Sequence, residues 1–413
     1  MNCGNFVSNS VKGRPATDGG RAGIVFLAIF ILLFQVVTFS GEAVCAEENI
    51  RPVEGISYSP LVQVVPGPGI PEEIELGGSN NNLDIARYQG KLFFAFRTAP
   101  THFASRATKL VILSSTDGEK WEVENTIHMG RDMREPRFLV YKDKLFFYFF
   151  SSGKNPWTFN PQYIWVSIYE SPGQWSDPQK VWKPGSVVWR LKEYNGYALM
   201  SSYTASGVME TKGDSPNELI LLKSEDGLNW EPFDPDRPVQ VYGGGEADFE
   251  FDDAGNLFTV VRNEGGATKV CGAPAANIAE WECTETPYKY DSPIMFKQDG
   301  EIYIIARRNI AGEFYRDRKA IPNGIEAWLN LGKYWVTRKR TAMYRFDTEK
   351  MLIEWLFDFP SRGDTSFPAM VRLNEKQWLL YNYSSPIDGP DRCWLGGQLT
   401  GTRIYSTVLT FGE

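Results

Sequence analysis

One motif, a strand, a turn and a second strand, recurs six times along the 413-residue chain. Each copy has Gly, Asn or Asp at a turn between two apolar runs, which is the pattern of a β-hairpin. A second marker has the same period, since Trp121, Trp175, Trp230 and Trp281 follow successive hairpins at intervals of roughly 50 to 55 residues. The six hairpins span 82–97, 134–150, 189–203, 246–262, 291–307 and 364–381.

A strand-rich repeat of about 40 to 55 residues is typical of a β-propeller with four antiparallel strands in each blade. The sequence therefore predicts an all-β fold, a six-bladed β-propeller over residues 76–413. The last repeat is one strand short, because the chain ends soon after the apolar run over 404–409. An open ring would expose a sheet edge, so we expect the run 61–65, in an N-terminal arm over 47–75, to close the last blade. The alternative fold is a two-sheet sandwich whose spacing is coincidental.

The first 46 residues have the pattern of a secretory signal peptide. Lys12, Arg14 and Arg21 precede an uncharged apolar stretch over 22–39, and small residues follow up to Ala46. We therefore expect cleavage after Ala46 and a protein that is secreted or periplasmic. The apolar stretch is long enough that an uncleaved membrane anchor is the alternative.

Composition argues against several partners and cofactors. The formal net charge is −8 and no basic run is present, so we expect no contact with nucleic acid. With two histidines in the whole chain, a His-ligated zinc site is not expected, and we predict no cofactor. Cys271 and Cys283 flank a short loop and could pair in an oxidising compartment, which leaves Cys393 as a small hydrophobe. We expect the mature protein to be a monomer without membrane contact.

Charged residues stand at the open ends of the hairpins. The two ends of a hairpin lie side by side, so Glu246 and Arg262 are expected to meet at one edge of a sheet. First strands of propeller blades line the central channel, so their end residues should converge on one funnel. From the first strands, the predicted funnel takes Asp84, Arg134, Glu135, Arg190, Glu246, Asp248, Asp291 and Asp364; from the second strands it takes Arg262, Arg307 and Arg308.

Acids and arginines crowded in a concave site favour a ligand that is anionic and rich in hydroxyl groups. The candidate catalytic carboxylates are Glu246, Glu135, Asp84, Asp248 and Asp291. The candidate substrate-binding residues are Arg134, Arg190, Arg262 and Arg307. For each of these residues, the alternative is a ring of salt bridges that only satisfies a polar channel.

Two turns share the pattern Ser-x-Asp-Gly-x-x-Trp. They place Asp117 four residues before Trp121, and Asp226 four residues before Trp230. The Asp can accept backbone N–H bonds across the turn, the Gly can take a positive φ, and the Trp can pack beneath both. We therefore predict a structural role for these four residues.

These turns resemble the Asp-boxes of the sialidase superfamily. The hairpin from Glu246 to Arg262 is similar to a sialidase hairpin with a Glu and a triad arginine at its two ends, and Arg134-Glu135-Pro136 resembles the Arg-x-Pro of another triad arginine. The resemblance implies a six-bladed propeller that hydrolyses terminal α-linked sialic acids. It further implies three arginines on the substrate carboxylate, an Asp acid/base, and a Tyr nucleophile activated by a Glu.

The sequence departs from the sialidase pattern at two catalytic positions. The loop over 98–108, where the acid/base Asp is expected, holds no carboxylate, and Asp364-Thr365-Ser366 stands where the Tyr is expected. We therefore predict a secreted, sialidase-like glycoside hydrolase that acts on an acidic or hydroxyl-rich glycan or glycoconjugate. Two alternatives stay open: a non-catalytic carbohydrate-binding propeller, and a furanosidase-like glycosidase with a pair of carboxylates, to which Glu135-Pro136 and Asp291-Ser292-Pro293 are similar.

Overall fold

The structure is a computed structural model, and it describes residues 53–153, 159–205, 217–318 and 323–412. The predicted signal peptide lies outside the described residues. Two helices occur among the described residues, α1 (Asn323–Trp335) and α2 (Trp394–Leu399). No helix in the described ranges has the length and hydropathy needed to cross a bilayer.

The strands form six antiparallel sheets, which confirms the predicted six-bladed propeller. The N-terminal arm holds β1 (Ile56–Tyr58) and β2 (Val62–Val65). Blade 1 comprises β3 (Ser79–Tyr88), β4 (Lys91–Ala99), β5 (Lys109–Ser115) and β6 (Glu122–Ile127). Blade 2 comprises β7 (Met133–Tyr141), β8 (Lys144–Ser152), β9 (Pro161–Ser171), β10 (Gln174–Trp175) and β11 (Gln179–Val181). Blade 3 comprises β12 (Ser186–Tyr194), β13 (Tyr197–Thr204), β14 (Glu218–Ser224), β15 (Glu231–Pro232) and β16 (Val241–Tyr242).

The remaining three blades follow in chain order. Blade 4 comprises β17 (Ala247–Phe251), β18 (Leu257–Val261), β19 (Thr268–Ala273) and β20 (Glu282–Thr286). Blade 5 comprises β21 (Asp291–Gln298), β22 (Glu301–Asn309), β23 (Lys339–Asp347) and β24 (Leu352–Phe359). Blade 6 comprises β25 (Ala369–Arg372), β26 (Gln377–Ser384) and β27 (Arg403–Phe411). Helix α1 lies in the connection between β22 and β23, and α2 lies between β26 and β27.

Each predicted hairpin forms the first two strands of one blade. In blade 4, Ala247 pairs with Val261 and Phe251 pairs with Leu257. The turn between them uses Gly255 at a φ of +86°, a conformation that a residue without Cβ adopts freely. First strands of neighbouring blades contact one another, β3 with β7, β7 with β12, β12 with β17, β17 with β21 and β25 with β3, so their ends converge on the central channel.

The outer position of blade 6 is occupied by the N-terminal arm. β1 pairs with β27, with Ile56 opposite Phe411, and β2 pairs with the same strand, with Val62 opposite Ser406. Val65 is fully buried in the core cluster that extends across the ring. The first and last parts of the described chain therefore share one sheet.

Deletion of residues 57–66 is expected to destabilise the whole propeller. The deletion removes β2 and most of β1, and it leaves the edge of β27 unpaired. Loss of the buried Val65 side chain alone costs about 1.5–3 kcal/mol. The deletion also removes backbone hydrogen bonds between the N-terminal arm and β27, so we expect the Tm to fall by about 10 °C. Val62→Thr, at an exposed position on β2, is the matched control, and a deletion variant with an unchanged Tm would contradict the pairing.

A disulfide joins Cys271 and Cys283, the two cysteines predicted to pair, and it links β19 to β20. Cys393, next to α2, has a free thiol and is half-buried. Closing a loop with a sequence separation of 12 contributes about 3 kcal/mol on a loop-entropy account. We expect the double Ser variant of Cys271 and Cys283 to lose about this much free energy of unfolding, measured by urea titration. Cys393→Ser is the control, and quantitative alkylation of both paired cysteines without reductant would contradict the bond.

The two Ser-x-Asp-Gly-x-x-Trp turns have the same internal bonding. Asp117 accepts hydrogen bonds from the two backbone N–H groups that follow Gly118, at 2.8 and 2.9 Å, and Asp226 accepts the equivalent pair at 2.8 Å. Trp121 and Trp230 are buried. Partial burial raises the pKa of Asp226, but the hydrogen bonds outweigh it and hold that pKa below its usual range. These bonds fix the turns between the third and fourth strands of blades 1 and 3.

Candidate functional site at the channel mouth

Bulges at the starts of first strands shape one end of the channel, which we call the mouth. Strands β3, β7, β12 and β21 each have a register irregularity near their first residues. Asn82, Glu135 and Ser292 adopt positive φ values of 38°, 54° and 52° at these positions. Bulges change the direction of a side chain, and a positive φ is uncommon for residues other than Gly. The mouth is therefore built from backbone conformations that are typical of functional sites.

Glu135 is a buried carboxyl group at the mouth with few partners. Its Oε1 accepts a hydrogen bond from Asn82 Nδ2 at 3.0 Å. Its Oε2 lies 3.6 Å from Arg137 Nη2 and accepts no hydrogen bond from the described residues. Burial raises the pKa of Glu135 to about 7; Arg137 opposes this rise, and the charge of Glu246 adds to it. Glu135 is therefore partly protonated near neutral pH.

Glu246 and Arg262 meet at the open end of the blade 4 hairpin, with Arg262 Nη1 2.7 Å from Glu246 Oε1. The other oxygen of Glu246 accepts the backbone N–H of Ser292 at 2.6 Å. Arg262 also contacts Glu264, and its Nε lies 2.9 Å from Asp291 Oδ1. One guanidinium is thus surrounded by three carboxylates.

Asp291 is buried, and its carboxylate is surrounded by basic side chains. Its carboxylate lies 2.9 Å from Arg262, 3.4 Å from Arg307 and 3.6 Å from Lys289, and it accepts a hydrogen bond from Tyr334 Oη at 2.5 Å. Burial raises the pKa of Asp291, but these cations outweigh it and hold that pKa below its usual range. Since protein groups surround both oxygens, the position suits a role in orienting the arginines rather than contact with a substrate.

Asp84 and Asp248 connect neighbouring blades. Asp84 accepts the backbone N–H of Phe138, and Asp248 accepts the backbone N–H of Met295, each at 2.7 Å. In both cases the donor lies on the first strand of the next blade. Asp248 is fully buried and its Oδ2 lies 3.4 Å from Arg190 Nε, while Asp84 is half-buried and its burial raises its pKa. Both predicted catalytic carboxylates therefore occupy positions that suit the framework of the channel.

Arg190, Arg307 and Arg308 differ in position from the expected substrate-binding ring. Arg190 donates to the carbonyls of Pro293 and Pro368, both at 3.1 Å, so it bridges blades. Arg307 donates to the carbonyl of Thr365 at 2.6 Å in the same way. Arg308 was expected in the funnel, and this prediction is wrong. Its side chain pairs with a carboxylate on the outermost strand of its blade, because successive side chains of β22 alternate between the two faces.

Asp132 holds two arginines at the mouth. Its carboxylate lies 2.8 Å from Arg97 and 2.5 Å from Arg134. Burial raises the pKa of Asp132, but these two guanidinium groups outweigh it and bring that pKa to about 2. Arg134 also donates to the carbonyl of His102 at 2.9 Å. The Arg134 side chain is 15% exposed, the largest exposure among the ion-paired arginines of the mouth that are described.

His102 and Asp364 form a second buried pair beside this cluster. His102 Nδ1 lies 2.5 Å from Asp364 Oδ2, and Tyr383 Oη donates to Asp364 Oδ1 at 3.1 Å. Arg307 donates to the Tyr383 hydroxyl at 3.3 Å. Burial raises the pKa of Tyr383 well above its usual value, and the charge of Asp364 acts in the same direction. Asp364 and Tyr383 are buried, so His102 is the exposed member of this group.

The mouth also contains residues that the sequence did not single out. They are His102, Asp132, Glu264, Lys289, Tyr334 and Tyr383. Asp132 could have been identified from the sequence, because it lies two residues before Arg134 and immediately before strand β7. Tyr334 lies on helix α1, in an insertion that the sequence places over the channel or at its periphery, but no pattern singles out this residue as the partner of Asp291.

Comparison of the sequence with protein-family models found no match, and neither did comparison with curated proteins. The structure is similar to solved structures. One is a protein of unknown function from Dyadobacter fermentans, with a TM-score of 0.60 and 14% identity over 87% of this chain and 100% of that chain. Another is the endosialidase of phage phi92, with a TM-score of 0.55 and 12% identity over 86% of this chain and 69% of that chain.

A third similar structure is Trypanosoma rangeli sialidase in complex with the inhibitor DANA. The TM-score is 0.53, with 14% identity over 81% of this chain and 55% of that chain. This chain therefore spans about half the length of the trypanosomal sialidase. At these identities the likeness concerns the fold, and it agrees with the resemblance found in the sequence. The chain thus has the six-bladed β-propeller fold that it shares with these sialidases.

Proposed function

We propose that the protein is a glycoside hydrolase that cleaves an acidic or hydroxyl-rich glycan at the channel mouth. The observation that carries this proposal is the pair of carboxyl groups on Glu135 and Glu246. Their surroundings differ: burial raises the pKa of Glu135 to about 7 and the charge of Glu246 adds to this rise, whereas Glu246 is paired with Arg262. Two carboxyl groups in unlike surroundings are what glycoside hydrolysis requires of an enzyme. The likeness in fold to proteins named sialidases supports a glycan as the substrate.

Glu135 is the proton donor in this proposal. Its protonated form can give a proton to the oxygen that leaves when the glycosidic bond breaks. Glu246, which is paired with Arg262, is the second carboxyl group in this proposal, and its role is to stabilise the positive charge that develops on the sugar ring. The two side chains are 9% and 12% exposed, so each keeps a small accessible surface.

Arg134 is the residue that we propose for binding the glycan. It is the most exposed ion-paired arginine of the described mouth, and a guanidinium can bind a carboxylate or a pair of hydroxyl groups. The three-arginine clamp implied by the sialidase resemblance has less support. Arg262 already contacts three carboxylates, and Arg307 donates to backbone carbonyls. A substrate carboxylate would have to displace these partners, so we do not restrict the proposal to sialic acids.

A screen of the mature protein against aryl glycosides and free acidic sugars tests the proposal. We expect turnover of at least one aryl glycoside. The competing function is that of a non-catalytic carbohydrate-binding propeller, which is favoured by the dense bonding around Asp132 and Asp291. Binding of a sugar without turnover would support that function and would contradict hydrolysis.

We also propose that the protein is secreted after removal of residues 1–46. Expression of the full chain in a secreting host should release a protein whose N-terminal sequence begins at Glu47. An intact N-terminus on a protein retained in the membrane fraction would support the anchor instead.

Activity should fall at alkaline pH if Glu135 donates the proton. The protonated form is active, and its pKa is about 7, so a rise in pH removes the active form. We expect kcat/KM to fall about tenfold per pH unit well above this pKa. Initial rates between pH 5 and 9 give this profile, and a rate that stays level beyond about pH 8 would contradict the assignment.

A further inference from the structure

We propose that His102, oriented by Asp364, is a further catalytic residue that accepts a proton from water at the channel mouth. This inference rests on the proposed hydrolysis at the same mouth. Hydrolysis needs a base that takes a proton from water. Asp84, Asp248 and Asp291 do not suit this role, because each is held by contacts with the framework of the channel.

The Asp364 carboxylate fixes the tautomer of His102. Asp364 is fully buried, its Oδ2 lies 2.5 Å from His102 Nδ1, and its Oδ1 accepts the hydroxyl of Tyr383 at 3.1 Å. A carboxylate only accepts hydrogen bonds, and its 2.5 Å contact is shorter than the 3.1 Å approach of the Asn81 amide to the same nitrogen, so we place the imidazole proton on Nδ1. The lone pair of the ring then lies on Nε2, which is the arrangement of an oriented base.

The accessible edge of the His102 ring carries Nε2. No described residue bonds to Nε2, and this atom is not among the buried polar atoms that lack a partner. The side chain is 14% exposed, whereas its partner Asp364 has no exposed surface. The protonated nitrogen is thus held by the protein, and Nε2 is the ring nitrogen left to contact solvent or a substrate.

Burial is the main reason that the pKa of His102 lies below its usual value. Burial lowers the pKa of His102, Asp364 partly restores it, and Arg134 and Arg97 lower it further. The aromatic ring of Tyr383 lies 6.1 Å from the imidazole, and Asn81 Nδ2 lies 3.1 Å from Nδ1. The imidazole is therefore a neutral base near pH 7.

The base lies near the proposed proton donor. Asn81 contacts His102, and the next residue, Asn82, bonds to Glu135. Arg134, the neighbour of Glu135 in sequence, donates to the His102 carbonyl. Both proton-transfer groups therefore line the same sector of the mouth.

In the proposed step, water is the second reactant in cleavage of the glycosidic bond. Water gives one proton to His102 Nε2 while its oxygen bonds to the anomeric carbon. The bond from that carbon to the glycosidic oxygen breaks, and the leaving oxygen takes the proton of Glu135. Exchange with solvent then removes the proton from His102 and returns one to Glu135.

His102→Ala is expected to lower kcat by about 100- to 10,000-fold with a small change in KM. In the wild type, kcat/KM should fall as acid protonates His102, and this acidic limb should disappear in the variant. Added imidazole should restore part of the rate. His128→Ala is the control, since His128 is the other histidine of the chain and bonds through Nδ1 to the carbonyl of Thr108 at 3.0 Å.

A loss of activity with a lower Tm and no rescue by imidazole would show a structural role and would overturn the proposal. So would an acidic limb that survives in the variant. Nitrogen NMR of the free protein, with His128→Ala used to assign the signals, tests the tautomer without a substrate. A proton on Nε2 of His102 would overturn the assignment, whereas a wild type without turnover on any glycoside would instead remove the proposed function.

Discussion

Glu135→Gln is expected to lower kcat by about 100- to 10,000-fold on a glycoside whose leaving group needs a proton. Gln has nearly the same shape and can keep the contact with Asn82, but it has no proton to give. Because KM reports binding more than proton transfer, we expect it to change little. Initial rates of the purified variant and wild type, measured at the same pH, provide the comparison.

Stability separates this loss from misfolding. The pKa of Glu135 is raised by folding, so the protonated form favours the folded state and that stability is lost as pH rises from about 4.5 through about 7. Gln imitates the protonated form, so the Tm of the variant at pH 8 should equal or exceed that of the wild type. Glu280→Gln, at an exposed ion pair, is the matched control and should keep full activity. A variant of Glu135 that keeps its activity would contradict the assignment.

Arg262→Met is expected to reduce the free energy of unfolding by about 3–5 kcal/mol. The variant leaves Glu246, Glu264 and Asp291 close together without the guanidinium that separates them. Arg262→Lys keeps the charge but loses the forked geometry, so we expect it to recover only part of the loss. Urea titration of the variants measures the effect.

Arg237→Met is the matched control for this prediction. Arg237 pairs with Glu280 at 2.7 Å on the surface, where both side chains are exposed. Exposed ion pairs contribute about 0–1 kcal/mol, so this variant should remain close to the wild type. An Arg262 variant that is as stable as the Arg237 variant would show that the three carboxylates do not depend on the guanidinium. It would leave Arg262 available for a substrate carboxylate.

The fold could be predicted because its signals are local. The turn at Gly255 and the apolar run over 257–261 specify a hairpin without reference to the rest of the chain. Six such hairpins at similar intervals along the chain are compatible with few architectures, and the structure confirms the propeller. The same local geometry brought Glu246 and Arg262 together, because the ends of a hairpin meet wherever the hairpin is placed.

The contacts among residues at the mouth could be predicted only in part, because they join segments that are distant in the sequence. His102 lies in a loop where the sequence suggested a missing carboxylate, and its partner Asp364 is 262 residues away. Asp291 was predicted as a catalytic acid, but its surroundings depend on Lys289, Arg307 and a tyrosine from helix α1. The insertion over 309–344 predicts a short helix over 325–335 and either a lid over the channel or a peripheral loop, but it does not single out Tyr334 as the residue that bonds to Asp291.

The dependence of rate on the leaving group tests proton donation by Glu135 most directly. Wild type and Glu135→Gln should be compared on two glycosides of the same sugar, one with a dinitrophenyl leaving group and one with an alkyl leaving group. The dinitrophenolate leaves without a proton, so the variant should keep most of its rate on that substrate and lose about 100-fold or more on the alkyl glycoside. An equal loss on both substrates would contradict proton donation by Glu135.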